Sequence, residues 1–201
     1  TLLDFIITYL YKFVLIVTPF IYSIVMCYRL LAKYVENGSL AYLLNSKHGR
    51  TKIVLTQWVN LFLGLVVMIS FNTGLMIVCC SMMFKGALDI PRFLILNLGL
   101  LVLQLFIAAF CFMFACLFTD VKYSIGCGAG VISLFIIMQM FFSVYDSAKI
   151  LLYCNPLSLF NPQQLINGNI VSVISLVVLL GLTAIFLIIG LLGFRRKDLA
   201  L

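Results

Sequence analysis

The chain reads as an all-α polytopic membrane protein with five transmembrane helices, and three features of the sequence predict it. It is 65% hydrophobic and only 9% charged, where a soluble domain carries about a quarter charged residues. Charge-poor apolar stretches recur along it, each matching the ~20 residues a helix needs to cross the hydrocarbon core. The basic residues, behind a net charge of +7, sit at the ends of those stretches, where topology and lipid headgroups favour them. They form no single patch, so membrane lipid is an expected partner and nucleic acid is not.

The spans follow in order. The first covers about 13–32 and contains Pro19. A proline there removes one backbone hydrogen bond and should kink the helix, a defect tolerated where neighbouring helices cover it. The second covers 56–82 inside a longer apolar interval, so part of that interval is expected to tilt or to run along the interface. The third covers 93–118, the fourth 124–145 and the fifth 170–194. Lys85-Gly86 to Pro91-Arg92 joins the second to the third, and residues 119–122 join the third to the fourth. The last connection holds Asn155-Pro156 and Asn161-Pro162, both strong turn signals. It is also apolar (Ile150, Leu151, Leu157, Leu159, Phe160), which predicts short helices dipping back into the outer interface. Residues 1–201 thus form a single transmembrane domain.

Orientation follows from the basic residues. One side collects Lys33, Lys47, Arg50, Lys52, Lys122, Arg195, Arg196 and Lys197; the other has only Lys12, Lys85, Arg92 and Lys149. The richer side is expected to be cytoplasmic. The chain begins at Thr1 with no signal-peptide pattern, and this orientation puts that start outside. An additional span before Thr1 is therefore expected, giving six in the full protein. The cysteines include no C-x-x-C pair and mostly lie within apolar runs; they read as small buried hydrophobes, not as a disulfide or metal framework.

The polar interruption at 36–52 stands apart. Tyr34, Val35, Leu40, Tyr42, Leu43 and Leu44 give it an apolar side, and Glu36, Asn37, Ser39, Asn45 and Ser46 a polar one. Gly38 and Gly49 punctuate it; Lys47, Arg50 and Lys52 make its end positive. Two readings fit: a short amphipathic helix lying on the cytoplasmic face, or a solvated basic connection that enforces topology.

Polar side chains also occur within the spans: Gln57, Asn60, Asn72, Thr73, Asn97, Gln104 and Gln139. Such groups in hydrocarbon need partners or water. They mark a substrate path, a dimer seam, or interhelical hydrogen bonds of about 0.6 kcal/mol each. Gly126 and Gly130 form a G-x-x-x-G face that admits another helix closely, a further candidate for the seam. No nucleophile–base arrangement can be assembled, so no enzyme active site is expected. The sequence lacks G-x-x-x-x-G-K-S/T, and no glycine precedes a lysine, so the chain cannot cradle ATP through a P-loop.

The run Glu36-Asn37-Gly38-Ser39-Leu40-Ala41-Tyr42-Leu43-Leu44-Asn45-Ser46, followed by Arg50-Thr51-Lys52-Ile53-Val54 and Gln57, resembles the signature of ABC type-2 transporter permeases. Pro156 to Pro162 and the ending Phe194-Arg195-Arg196-Lys197-Asp198-Leu199 resemble that family as well. Where the family usually has a proline before the arginine, this chain has Lys47-His48-Gly49. The resemblance implies a permease subunit of an ATP-driven exporter that forms its path as a dimer, with a second copy or a related chain. It implies that 36–52 is the coupling segment, with Glu36, Gly38, Ser39, Leu43, Leu44, Ser46 and Arg50 docking on a separate P-loop ATPase subunit, and Asp120 and Lys122 as a second contact. No cofactor is expected in this chain; ATP and Mg²⁺ belong to the partner. The small size and compact loops resemble Gram-positive members, which places the chain in a bacterial cytoplasmic membrane. The apolar, Phe-rich spans suggest an amphipathic substrate such as an antimicrobial or toxin peptide. An ATP-independent carrier or a structural scaffold is the rival reading.

Overall fold

A computed structural model of the chain describes Tyr11 and residues 14–32, 50–83, 88–118, 120–142 and 155–196. Helix α1 runs over Leu15–Cys27 and continues into a π-helical turn, Tyr28–Ala32. Helix α2 is a single uninterrupted element, Arg50–Met83. At 1.5 Å per residue it is about 51 Å long, against a hydrocarbon core of ~30 Å. It starts earlier than the expected span because the helix continues through the polar residues Arg50, Thr51 and Lys52.

Helix α3 covers Ile90–Leu117. Its start is built by the sequence Asp89-Ile90-Pro91-Arg92. The Asp89 carboxylate accepts a hydrogen bond from the Arg92 backbone N–H at 3.5 Å. Pro91 occupies the first turn, where a missing N–H costs nothing. The Arg92 guanidinium pairs with the same carboxylate at 3.2 Å. Helix α4, Val121–Phe142, follows after a short corner in which the Ser124 N–H donates to the Asp120 carbonyl.

The two Asn-Pro pairs then act as twin starts. Asn155 opens a 3₁₀ turn, Pro156–Leu159, and accepts from the Leu157 N–H at 3.0 Å. Asn161 opens α5, Pro162–Ile166, and accepts from the Gln164 N–H at 3.3 Å. In both, the asparagine caps and the proline pre-sets the first helical φ. Gly168, with φ +68°, closes α5. The N–H groups of Gly168 and Asn169 return to the carbonyls of Leu165 and Gln164, the pattern that a left-handed residue after a helix permits. Helix α6, Ile170–Arg196, completes the described chain.

Helices α2, α3, α4 and α6 are long and apolar enough to cross a membrane, and α1 is a shorter apolar helix. The fold is therefore all-α and polytopic, with no strand among the described residues. Helix α3 is its centre: in its most apolar stretch 72% of residues are buried, against 22% in α2 and α4 and 17% in α6. Every other long helix and α1 pack on α3, α6 most extensively. Where α6 crosses it, Gly190 brings the two backbones together; a Cβ there would lie 3.2 Å from Met113 Cα.

The 3₁₀ turn and α5 are the short helices expected from the sequence, and they pack into the bundle. Leu157, Phe160 and Leu165 are buried. Phe160 and Leu165 press on Gly99, where a Cβ would meet them at 2.9 and 2.6 Å. Gly99 lies about 13 Å along α3 from its first residue. Asn155 Nδ2 also donates to the Phe135 carbonyl of α4 at 2.8 Å, anchoring the segment on its other side.

Candidate functional site

The polar residues inside the spans are placed very differently from one another. Asn60 is exposed on α2, and Gln57, Asn72 and Gln139 are half-buried. Asn97 and Gln104 are buried on α3, seven residues apart and so on one face of the helix.

Gln104 is fully buried and makes the long-range contact that explains α1. Its Nε2 donates to the carbonyls of Leu15, at 3.2 Å, and Ile16, at 3.1 Å. Pro19 stands four residues after Leu15 and has no N–H to give it. Gln104 thus supplies the donor that the proline withholds, in a medium where an unsatisfied carbonyl costs several kcal/mol. One turn further on, Ser23 Oγ donates to the Pro19 carbonyl at 2.9 Å. Sequence reasoning anticipated cover for the proline from a neighbouring helix. It had no signal for which residue, since proline and glutamine are far apart in the chain.

Asn97 donates within its own helix, from Nδ2 to the Phe93 carbonyl at 2.8 Å. It also lines a cleft of about 490 Å³ between α2 and α3. Ile69, Thr73, Gly74 and Ile77 form one wall, Leu94 and Leu101 part of the other. Nothing in the hydropathy pattern marks this cleft, because its residues are ordinary span residues.

On α4, Gly126 and Gly130 are exposed, and a Cβ on either would meet nothing within 4 Å. Gly128, between them, meets α3 instead, with Cys111 Cα 3.4 Å from its would-be Cβ. The G-x-x-x-G face is thus left open to a neighbour beyond the described helices.

At the opposite end of the bundle from the Asn-Pro turns, α1 ends, α2 begins, α3 turns into α4, and α6 finishes. Asp120 and Lys122 are exposed in that corner. Arg50 is the first residue of α2. Glu36, Gly38, Ser39, Leu43, Leu44 and Ser46 lie outside the described residues.

Neither a curated protein nor a solved structure is matched by this sequence. The family described as ABC-2 family transporter protein matches residues 4–199, nearly the whole chain. Together with the multi-pass helical fold, that match makes this chain a member of the ABC-2 transporter family and a membrane permease subunit of an ABC transporter.

Proposed function

We propose that the chain is the permease of an ATP-driven exporter, assembled as a dimer and worked from the cytoplasm by a separate P-loop ATPase. The family match carries this reading, since ABC-2 membership implies an ABC transporter with an ATPase partner. The absence of any P-loop motif in the sequence agrees with it. The docking element is residues 36–52, with Glu36, Gly38, Ser39, Leu43, Leu44, Ser46 and Arg50 at its centre. Asp120 and Lys122 form the second contact; they stand at the same end of the bundle as Arg50. ATP and Mg²⁺ bind the partner, and its closure pushes on both contacts.

The open Gly126/Gly130 face of α4 is the seam candidate for the second permease copy. The cargo is an amphipathic compound, a peptide by preference, because among the described residues Asp, Glu, Lys, Arg and His occur only at or near the ends of the spans. The membrane is the bacterial cytoplasmic one.

The test is a detergent pull-down from the native membrane with and without Arg50→Glu. Recovery of a P-loop ATPase with the unmodified chain and its loss from the variant is the expected result. No ATPase in either sample would return the chain to a carrier or scaffold role and remove the coupling assignment.

A further inference from the structure

After Cys27 the chain leaves regular α-helix and passes into the π-helical turn Tyr28–Ala32. There each carbonyl is reached by the fifth residue on instead of the fourth. Helix of this kind makes up well under 1% of residues in ordinary proteins, so a π-turn needs neighbours to hold it. This one packs on α2, α3 and α4 together. Tyr28 and Leu30 are half-buried and Arg29 is exposed. The Tyr28 N–H is shared between the carbonyls of Ile24 and Val25, so the hydrogen-bond register is already divided where the turn begins.

The surroundings of the turn are uneven. Upstream, α1 is fixed. Ile16, Phe20, Ser23 and Cys27 form its buried stripe, and Gln104 holds the Leu15 and Ile16 carbonyls. The Tyr22 hydroxyl fills the space over Gly64 of α2 that a Cβ there would need. Beside the turn, packing is incomplete. A small pocket lies between Cys27 and Tyr28, Cys111 of α3, and Ser124, Ile125 and Gly128 of α4. Interiors are otherwise close-packed, so this gap is where side chains have room to rearrange. Ser124 stands one helical turn after Asp120. The turn that leads to 36–52 and the corner that carries Asp120 and Lys122 therefore meet at one spot.

A π-turn holds about one residue more than an α-turn. When it reverts to α-helix, the chain beyond it rotates by about 100°, at 3.6 residues per turn. With α1 fixed, the rotation goes downstream. We propose that Tyr28–Ala32 is a conformational joint, a π-turn that exchanges with regular α-helix and so rotates the chain leading to 36–52 against a stationary α1. What the rotation works on rests on 36–52 being the ATPase-docking segment; the joint itself does not.

Deleting Arg29 tests the joint in the full chain, held in nanodiscs of its native lipids. The deletion removes the extra residue, so the turn closes as α-helix with the downstream chain in its present orientation. Amide hydrogen exchange over 24–32 should slow about tenfold, as expected where a local opening is removed. Arg29→Ala, which removes the charge but keeps the residue, should leave exchange unchanged. Thermal unfolding should be unaltered by the Arg29 deletion. Deleting Ile21, exposed on the regular part of α1, misaligns the buried stripe and should lower the unfolding temperature. Equal exchange in the unmodified and Arg29-deleted chains would overturn the joint, as would unfolding of the Arg29 deletion as early as that of the Ile21 deletion. In the complex recovered with its ATPase, a non-hydrolysable ATP analogue with Mg²⁺ should change exchange over 24–32 in the unmodified chain and leave the Arg29 deletion unaffected. No change in either would overturn the part of the joint in transport. Recovery of no ATPase would overturn the exporter role, with the exchange result still deciding the joint.

Discussion

Helices α3 and α6 are neighbours of nearly equal length and similar, mostly apolar composition, and they live in opposite surroundings. Helix α3 is buried almost all round, with seven consecutive residues from Leu103 to Ala109 inaccessible or nearly so. Helix α6 is buried only along one seam, at Ser172, Leu179, Thr183, Gly190 and Phe194. Those positions alternate spacings of seven and four, the signature of a helix contacting others along a single stripe. Apolar content makes a helix soluble in the bilayer; it does not say what the helix touches. What separates the two is the size and polarity of particular side chains. Helix α3 carries Asn97, Gly99, Gln104, Ala108, Ala109 and Ala115, small or hydrogen-bonding groups that let backbones approach where lipid gives no hydrophobic drive for association.

The contrast can be broken at its tightest point. Gly190→Leu would drive a side chain into the α3 backbone at Met113, and overpacking of this kind costs about 3 kcal/mol. Thermal unfolding in detergent should register it as the largest single loss. Gln104→Leu comes next. It leaves the Leu15 carbonyl without a donor, at about 2 kcal/mol for a buried unsatisfied acceptor. In a Pro19→Ala background, residue 19 regains an N–H for that carbonyl, and the same change should cost no more than about 0.6 kcal/mol. An equal cost in both backgrounds would disprove the link between the glutamine and the proline.

Asn155→Ala removes a cap and an anchor on α4 while the Phe135 carbonyl keeps its place in a helix, so a loss of about 1 kcal/mol is expected. Its readout is protease susceptibility of the 155–169 segment as well as unfolding. The smallest effect belongs to the free face of α6. Gly181→Ala meets open space and should shift stability by about 0.5 kcal/mol or less. A large loss there would mean that this face is covered, and the single-stripe description of α6 would fail.

Much of the fold was legible in the sequence, for physical reasons that also fix where legibility stopped. Long apolar runs and terminal charges announce helices that cross a bilayer. Asn155-Pro156 and Asn161-Pro162 announce short capped helices because their geometry is local. The central position of α3 was not legible, since α3 and α6 have the same apolar character and differ only in what they meet. The pairing of Gln104 with the carbonyls before Pro19 joins residues 89 and 88 positions apart; each could be noticed, but no local pattern couples them. The glycines of α4 show the same limit. Spacing drew notice to Gly126 and Gly130, while the one that meets α3 is Gly128, which projects from the other side of the helix. The docking residues 36–46 were read from family resemblance and lie outside the described residues, so geometry adds nothing to them.

The Asn-Pro turns and Gly168 also limit how much of the chain's apolar sequence becomes long helix. From 150 to 194 the chain holds no charged residue, a length of apolar sequence that could supply two crossings at ~20 residues each. Among its described residues, 155–169 forms only short capped helices too brief to cross, and α6 alone is long and apolar enough to do so. The turn residues thereby hold the stretch to a single long apolar helix, which ends at Arg195 and Arg196. A helix-continuing sequence in their place would offer a second candidate crossing, opposed by the basic residues at and just beyond the end of α6.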